Sequence, residues 1–325
     1  MTDSAKDTTG VVLLNLGGPD SLQAVRPFLY NLFSDRDIIR LGPAFIQRYV
    51  AWLISRLRSK KTEEMYRAIG SRSPILDITR AQAAALEKAL NGSRFRVFIG
   101  MRYWHPYIKD TVRAVTGEGI RHVIALSLYP HYSKATTGST INEFRRQVKG
   151  TGLTVRYIDR WYDFPPYIEA LAELIAKGTA AFRDNDFHII YSAHGLPESL
   201  IRSGDPYLDH IKGTVREVNR RLSSAPYNIA DVKWDLSFQS RVGPVKWLRP
   251  STEETIERLA GSGCKNLFVV PVSFVSDHIE TLYEIDILYR AIAGKYGAHL
   301  KRCEALNTSE KFINALKELV MLNAA

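Results

Sequence analysis

The chain has 325 residues, 45% of them hydrophobic and 24% charged, and a formal net charge of +10 at pH 7. That length suits one large domain or two ordinary ones, each with its own core. The polar start, MTDSAKDTTG, lacks the apolar run of a signal peptide, and no apolar run approaches the ~18 residues that cross a bilayer. Two cysteines, Cys264 and Cys303, argue against a disulfide framework and against a cysteine-ligated metal cluster. We therefore expect a cytoplasmic protein whose contact with membranes, if any, is peripheral.

A net charge of +10 first suggests a nucleic-acid partner. The cations are spread along the chain rather than gathered into an arm. A nucleic-acid-binding module is therefore not expected, and steep salt dependence of DNA or RNA affinity would be its signature.

Four apolar segments in the first half of the chain are typical of buried strands. They are nearly unbroken runs of Val, Ile and Leu, as expected of parallel strands that are covered on both faces. The amphipathic segment 78–90 separates the first strand from the second, and repeated strand–helix alternation predicts a parallel sheet flanked by helices. The strands are predicted at 10–17, 95–100, 122–128 and 153–158.

A strongly basic stretch lies between the first two strands, and it contains an apolar helical segment at 43–57. Two interpretations stay open: an amphipathic helix packed on the core, or a helix lying in the interface of an anionic membrane. The pattern alone favours the first, and Trp52 and Tyr49 beside arginines make the second about as reasonable. The cations are Arg36, Arg40, Arg48, Arg56, Arg58, Lys60, Lys61, Arg67 and Arg72, and the apolar side chains are Phe45, Ile46, Tyr49, Val50, Trp52, Leu53, Ile54 and Leu57.

Paired prolines in RWYDFPPY (160–167) interrupt the pattern and indicate a domain boundary. Seven or eight strands suit two sheets better than one, and two α/β halves imply a cleft lined by the carboxyl ends of their strands. We place an N-terminal α/β domain at 8–162 and a C-terminal one at 163–304. The second half is predicted to hold strands at 187–193, 231–238, 266–274 and 298–303, with amphipathic helices at 167–182 and 251–263.

A histidine, His194, follows the predicted strand 187–193 directly. A lone histidine is more often a packed or capping residue than a catalyst. Its place at the carboxyl end of a strand, facing the expected cleft, makes the catalytic interpretation equally reasonable.

Acidic residues follow the strand predicted at 266–274. Ser276 or Asp277 can simply cap the next helix, where early acidic residues are favourable in any case. Glu280 and Glu284 are four residues apart, so a helix would place both on one face. Such an acidic row suits a hydrated divalent cation or an exit route for protons.

Aromatic, cationic and hydroxyl side chains follow other strands. They would suit a large, flat aromatic substrate that carries carboxylates. The aromatic rings would pack on the faces of this substrate, and the cations would bind its carboxylates. These side chains include Arg102, Tyr103, Trp104, His105, Tyr129, His131, Tyr132, Ser133, Lys134, Ser237, Gln239, Ser240, Arg241 and Trp247.

Eight segments, in this order along the chain, resemble the ferrochelatase family from about residue 11 to about residue 318. The pair SAHGLPESL and SDHIETLYEID is the most specific part of the resemblance. The other segments are LLNLGGPD, DRDII, YRAIGSRSP, MRYWHP, YPHYSKATTGS and SFQSRVGPVKWLRP.

The resemblance implies two Rossmann-like domains with the active-site cleft between them, the chelatase-like fold. It implies that a C-terminal helix within 305–325 completes the N-terminal domain. The implied activity is insertion of Fe²⁺ into protoporphyrin IX with release of two pyrrole protons. The resemblance also implies that the protein has no iron–sulfur cluster and no other cofactor, because the sequence lacks the cysteine-bearing tail of cluster-containing members. The segment 43–57 matches an apolar lip that rests on the membrane, here the cytoplasmic face of the inner membrane.

Site residues are carried over from the family position by position. His194 and Glu280 match the catalytic pair, which would also meet the Fe²⁺ substrate, and Asp277, His278 and Glu284 match supporting residues. Leu16 takes the place of a tyrosine found in the coproporphyrin-using branch, which favours protoporphyrin. Leu288 replaces a further acid of some members, and Ala68 a second arginine. The residues expected to bind substrate are Leu16, Arg102, Tyr103, Tyr129, Ser133, Trp247 and Phe274.

Two related functions compete with this one. A cobalt or sirohydrochlorin chelatase would use histidine similarly but lacks the SDHIETLYE context, and metal preference separates the two. A porphyrin carrier without turnover would keep aromatic walls but has no need for a histidine that faces an acidic row.

Overall fold

The computed structural model describes residues 8–39, 42–90, 94–182, 187–229, 232–241, 243 and 245–324. Arg40 of the basic stretch, Asp231 at the start of a predicted strand and Ala325 at the end of the C-terminal segment lie outside the described residues. The chain divides into two compact units, Met1–Trp161 with Asn307–Ala325 and Tyr162–Leu306, hereafter unit 1 and unit 2.

Unit 1 holds, within the described residues, a four-stranded parallel sheet in the order β2-β1-β3-β4. The last helix of the chain belongs to this unit, and Phe312 on it packs against Trp161 with ring centroids 6.1 Å apart. A single π-helical turn covers Lys134–Gly138. The strands are β1 (Thr9–Asn15), β2 (Phe95–Met101), β3 (His122–Ser127) and β4 (Thr154–Ile158); the helices are α1 (Val25–Ser34), α2 (Gln47–Ala68), α3 (Ile75–Ala89), α4 (Ile108–Gly117), α5 (Ser139–Val148) and α11 (Glu310–Leu322).

Unit 2 repeats this arrangement, with the described strands in the order β6-β5-β7-β8 and all of them parallel. A π-helix runs over Glu280–Tyr289, and a 3₁₀ turn over Ala180–Phe182 follows the first helix of the unit. The strands are β5 (His188–His194), β6 (Trp234–Gln239), β7 (Asn266–Pro271) and β8 (His299–Arg302); the helices are α6 (Pro165–Thr179), α7 (Glu198–Arg202), α8 (Tyr207–Leu222), α9 (Thr252–Gly261) and α10 (Arg290–Lys295).

Every strand predicted from the sequence is present, with ends that differ by a few residues. The largest differences are three residues, at the start of β6 and at the end of β7. β7 ends at Pro271 because the Phe274 amide turns back to donate to the Pro271 carbonyl. Helix α6 starts at Pro165, where a proline suits the first helical turn. The apolar runs form the two cores because parallel strands bury both faces.

The expected helix cap after β7 is wrong. The π-helix there has Ile279 at its N-cap position and no side-chain cap. Asp277 instead accepts hydrogen bonds from Arg302 (2.9 Å) and from the Thr281 hydroxyl (3.0 Å).

The strand order of unit 2 determines which residues can meet. β5 lies between β6 and β7, so its last residue, His194, pairs with Gln239 at the end of β6. The connections leave the sheet in opposite directions between β5 and β7, and such points create ligand crevices in open α/β sheets.

Candidate functional site

His194 and Glu280 form the centre of a polar cluster in unit 2. His194 Nδ1 lies 2.8 Å from Glu280 Oε2, and the two side chains keep 32% and 18% of their surface exposed. A carboxylate only accepts hydrogen bonds, so Nδ1 carries the hydrogen and the lone pair of the neutral ring is on Nε2. Burial disfavours the charged ring, but the Glu280 carboxylate outweighs burial and raises the pKa of His194.

Glu284 joins the cluster through Ser240. Ser240 Oγ lies 2.9 Å from Glu280 Oε2 and 2.6 Å from Glu284 Oε2, and Gln239 Nε2 lies 3.3 Å from the same Glu284 oxygen. The acidic row predicted for Glu280 and Glu284 is therefore confirmed as a shared face, on a π-helix rather than an α-helix.

The two carboxyl groups of this row titrate very differently. Burial, followed by the nearby Glu280 charge, raises the pKa of Glu284 to about 7. Burial also acts to raise the pKa of Glu280, but the charge and hydrogen bond of His194 outweigh it and hold that pKa below its usual value. One carboxylate of the pair thus stays ionised while the other exchanges a proton near neutral pH.

The backbone of His194 is held by residues from two other segments. The His194 amide donates to Ser273 Oγ (2.9 Å), and the Tyr207 hydroxyl donates to the His194 carbonyl (3.0 Å). Ser273 and Tyr207 also contact each other, with their hydroxyl oxygens 2.7 Å apart. These hydrogen bonds hold the His194 backbone and therefore the position from which its imidazole extends, and a reacting side chain needs such support.

Phe274 and His278 form one side of the cluster. The Phe274 ring meets His194 edge-on at 6.3 Å and His278 edge-on at 4.1 Å between centroids. His278 Nδ1 lies 3.1 Å from the Ser276 carbonyl, so Nδ1 carries its hydrogen, and burial lowers the pKa of this ring. Asp277 contacts Arg302 and Thr281, which anchors the loop that presents His278.

Trp247 lies beside Gly195, the residue that follows His194. A Cβ on Gly195 would be 2.8 Å from the Gln239 carbonyl and 3.5 Å from the Trp247 ring, so only glycine fits without a shift. Pro197 and Trp247 form an isolated antiparallel bridge, which holds the half-buried indole in place.

Arg102 and Tyr103 lie in a second polar cluster, in unit 1. The Arg102 guanidinium is 2.7 Å from Asp35 Oδ2, the Tyr103 hydroxyl donates to the same oxygen (2.6 Å), and Ser139 also donates to it. Burial acts to raise the pKa of Asp35, but Arg102 and the two hydroxyls outweigh burial and lower it. Tyr103 is 2% exposed, so the hydroxyl of this expected substrate contact is committed to Asp35.

The other expected substrate contacts of unit 1 also follow strands. Leu16 is half-buried just after β1, and its carbonyl accepts from the Tyr103 amide (2.9 Å). Tyr129 is half-buried after β3. Ser133 is fully buried, and its hydroxyl accepts from the Ala135 amide (3.2 Å) at the start of the π-helical turn.

Helix α2 and the residues just before it expose part of the apolar side chains of the segment 43–57, while Ile46, Val50 and Ile54 are half-buried. Phe45 is 86% exposed, Leu57 72% and Tyr49 71%. Packing on a core, the alternative left open by the sequence, is wrong for these side chains. Among the described residues, no helix is long and apolar enough to span a membrane.

Three residues of these clusters were not named from the sequence: Tyr207, Ser273 and Asp35. Ser240 was named only among hydroxyl side chains that would suit the substrate, not as a contact of the acidic row. Ser240 and Asp35 stand in the family-like segments SFQSRVGPVKWLRP and DRDII, which was the available signal. Tyr207 and Ser273 act through bonds to the His194 backbone, and no sequence pattern marks such bonds.

The unit 2 cluster can accept protons at two different groups. His194 offers Nε2, and Glu284 has a pKa near neutrality. The described residues contain no group of three or more His, Cys, Asp or Glu that could hold a metal ion.

Comparisons with known proteins agree on one family. The ferrochelatase family model matches residues 8–324. The chain is 54% identical to a ferrochelatase from Geotalea uraniireducens (strain Rf4) over 318 residues, 97% of each chain.

Solved structures support the same fold at low sequence identity. SirB from Bacillus subtilis, solved with Fe³⁺, aligns with a TM-score of 0.56 and 13% identity over 98% of this chain and 96% of its own. DR2241 from Deinococcus radiodurans, a multi-domain protein described as structurally similar to chelatases, aligns with a TM-score of 0.52 and 14% identity over 96% of this chain and 55% of its own. Two parallel sheets flanked by helices thus form a chelatase-like α/β fold.

Proposed function

The chain belongs to the ferrochelatase family, and from that membership we propose that His194 and Glu280 carry its reaction. The family inserts iron into a porphyrin in haem biosynthesis, so the chain is a metal chelatase with porphyrin and iron as substrates. The observation that carries the proposal is the 2.8 Å contact between His194 and Glu280 at the end of β5, with Nε2 of the ring left to act.

Metal insertion removes two protons from the pyrrole nitrogens. His194 Nε2 is the proposed first acceptor, because the raised pKa of this ring favours the protonated form that results. Glu284, with its pKa near neutrality, is the proposed second acceptor. His278 and Asp277 are proposed to support the pair by holding the loop and the Phe274 ring in place.

Fe²⁺ enters as a substrate, and the same pair is proposed to meet it. The Glu280 carboxylate stays ionised and attracts the cation. An imidazole nitrogen is a suitable ligand for borderline metals such as Fe²⁺ and Zn²⁺, and His194 Nε2, with its single lone pair, can contact the metal only before it takes the proton. Zinc should therefore replace iron in an assay. Two cysteines are too few for the four thiolates that an iron–sulfur cluster takes, which supports the proposal that the chain works without one.

Protoporphyrin IX is the proposed porphyrin. Leu16, just after β1, offers an apolar half-buried surface rather than a hydroxyl. Trp247 and Phe274 in unit 2, and Arg102, Tyr103, Tyr129 and Ser133 in unit 1, remain proposed contacts of the substrate.

The decisive experiment is anaerobic absorbance of the protein with protoporphyrin IX and Fe²⁺ or Zn²⁺, beside His194→Ala. We expect insertion to fall by about 10²–10⁴-fold in the variant, the range that a general base contributes, while porphyrin binding persists. His299→Ala removes an exposed histidine from the same unit and should keep full activity.

Other outcomes would contradict the proposal. Full activity of His194→Ala would show that His194 and Glu280 do not carry the reaction. Porphyrin binding without turnover for either metal in the unaltered protein would favour a carrier. Faster metal insertion into coproporphyrin than into protoporphyrin would contradict the assignment of protoporphyrin IX as the substrate.

We also propose that α2 rests on an anionic membrane, at the cytoplasmic face of the inner membrane. Exposed Phe45, Tyr49 and Leu57, with arginines around them, support this. Phe45→Ser with Leu57→Ser should abolish cosedimentation with phospholipid vesicles. Equal cosedimentation of the altered and unaltered proteins would refute the contact.

A further inference from the structure

Arg302, the last residue of β8, contacts three segments of unit 2 at once. Its side chain is 11% exposed and lies between the carboxylates of Asp277 and Asp286. Nη1 donates to Asp277 Oδ1 (2.9 Å) and to the Cys303 carbonyl (3.2 Å). Nε and Nη2 both lie near Asp286 Oδ2, at 3.0 Å and 2.9 Å. All three nitrogens of the guanidinium therefore have partners, which fixes its orientation.

The contact with Asp277 reaches the start of the π-helix through Thr281. The oxygen of Asp277 that accepts from Arg302 also accepts from the Thr281 hydroxyl (3.0 Å). The Thr281 oxygen in turn accepts from the His278 amide (3.0 Å). Thr281 is fully buried and follows Glu280 directly in sequence. This group of hydrogen bonds therefore fixes the backbone from which the Glu280 side chain extends.

The contact with Asp286 holds the same π-helix further along. Asp286 lies two residues beyond Glu284. It also meets Arg290, whose Nη2 is 3.2 Å from Oδ1, but the Arg290 side chain is 56% exposed, and exposed ion pairs contribute little. Arg302 is therefore the buried partner of Asp286, and it holds the π-helix beyond Glu284 as well as at its first turn.

The contacts of the acidic row require the π-helix to keep its position relative to the sheet. Ser240 Oγ contacts both carboxyl groups of the row, and His194 Nδ1 lies 2.8 Å from Glu280 Oε2. Arg302 belongs to the same sheet as His194, because β8 pairs with β7 and β7 with β5. It therefore fixes the π-helix to the elements that carry these partners. A misplacement of about 1 Å in such a site can cost about 10²-fold in rate.

We propose that Arg302 is a positioning residue for metal insertion, because it fixes the π-helix where its two carboxyl groups reach the ends of β5 and β6. The planar fork of arginine serves both acids at once, whereas a lysine ammonium carries the same charge at a single point. The inference rests on the proposed function and adds to it a residue that acts through the π-helix rather than on the reacting atoms.

The test compares Arg302→Lys with the control Arg290→Lys. Both variants remove a guanidinium from Asp286 and keep the charge, but only Arg302 is buried and also holds Asp277. Arg302→Lys should lower kcat for Zn²⁺ insertion into protoporphyrin IX by about 10–10²-fold and leave KM for the porphyrin within about twofold. Arg290→Lys should keep both constants within about twofold. Asp286→Asn, which removes only the contact further along the π-helix, should lower kcat by a smaller factor than Arg302→Lys.

A second measurement needs no turnover. The His194 Nδ1 proton, hydrogen-bonded to Glu280, should give a downfield proton resonance that is absent in His194→Ala. This resonance should move upfield or broaden in Arg302→Lys and keep its position in Arg290→Lys, because only the first variant releases the π-helix.

Three results would overturn the positioning role. These are a kcat of Arg302→Lys within about twofold of the unaltered protein, an equal loss in Arg290→Lys, and a lower kcat with an unmoved His194 resonance. If Arg302→Lys does not fold, an unchanged kcat in Asp286→Asn would overturn it instead. Full activity of His194→Ala would refute the proposed function, while the resonance would still report whether Arg302 positions Glu280.

Discussion

Ser240 Oγ lies within hydrogen-bonding distance of two carboxyl groups, Glu280 and Glu284, but has one hydrogen to donate. When Ser240 donates to one of them, the other contact needs a proton on the carboxyl side. Glu284, whose pKa is raised to about 7, is the group that can carry this proton near neutral pH. Once Glu284 loses that proton, the Ser240 hydroxyl can donate to its carboxylate, and this bond to the ionised form lowers the pKa of Glu284.

Removing that hydroxyl should move the pH dependence of insertion. The hydrogen bond from Ser240 lowers the pKa of Glu284, so Ser240→Ala should raise it beyond about 7. Because the deprotonated Glu284 is the proposed proton acceptor, kcat/KM for Zn²⁺ insertion should rise with pH along a limb that lies at higher pH in the variant. Infrared titration of the carboxyl C=O stretch should show the same shift without turnover.

Two further variants serve as controls for that prediction. Ser240→Thr keeps a hydroxyl and should restore the limb to its original pH. Glu284→Gln removes the titrating group and should remove the limb. A limb at the same pH in Ser240→Ala and Glu284→Gln would show that another group controls it.

At the scale of elements, the π-helix Glu280–Tyr289 is the feature least evident in the sequence. Spacing of four residues predicted that Glu280 and Glu284 share a face, but it does not distinguish α from π winding. π-Helical segments are rare and occur often at functional sites. Here the winding brings both carboxyl groups to Ser240 at the end of β6.

Helix α9 begins with a complete capping box. The Ser251 hydroxyl accepts from the Glu254 amide (3.1 Å), and the Glu254 carboxylate accepts from the Ser251 amide (2.9 Å). That backbone bond, followed by Arg249, lowers the pKa of Glu254 to about 2. Ser251 also bridges to Phe238 on β6, so the cap ties α9 to the strand that ends at Gln239.

Loss of this cap should have a modest and pH-dependent cost. Ser251→Ala should reduce the free energy of unfolding in urea by about 1 kcal/mol, and Ser251→Thr by less. A carboxyl with a lowered pKa stabilises the fold above its ordinary pKa of 4.5 and loses that contribution as the pH falls towards about 2. The difference between Glu254→Gln, which removes the carboxylate, and the unaltered protein should therefore shrink below pH 4.5. A constant difference down to pH 2 would exclude the Glu254 carboxylate as its source.

At the scale of the whole molecule, the end of the chain returns to the unit where the chain began. Phe312 on α11 is fully buried against Trp161, and Gln82 Nε2 donates to the Asn307 carbonyl (2.8 Å). Unit 1 therefore depends on residues that follow all of unit 2 in sequence.

A cavity under α11 should destabilise unit 1 selectively. Phe312→Ala should cost about 3–5 kcal/mol, and hydrogen exchange should speed up in β1 to β4 more than in β5 to β8. Ile256→Ala, which leaves a cavity in the core of unit 2, should instead speed up hydrogen exchange in β5 to β8 more than in β1 to β4. Equal acceleration across both units in both variants would mean that they unfold as one cooperative body.

The sequence by itself determined the strands, because each buried parallel strand is a local run of Val, Ile and Leu that is legible without its neighbours. It also placed His194 at the end of a strand and Glu280 and Glu284 on one face, since both follow from position along one element. Only the tertiary structure brought Ser240 between the two carboxyl groups, Tyr207 to the His194 carbonyl and Asp35 to Arg102. It also decided that Tyr49, Leu53 and Leu57 of α2 stay exposed. The physical reason is that apolar periodicity shows which residues can be buried, whereas hydrogen bonds and ion pairs between distant segments depend on how the packed elements align their polar atoms.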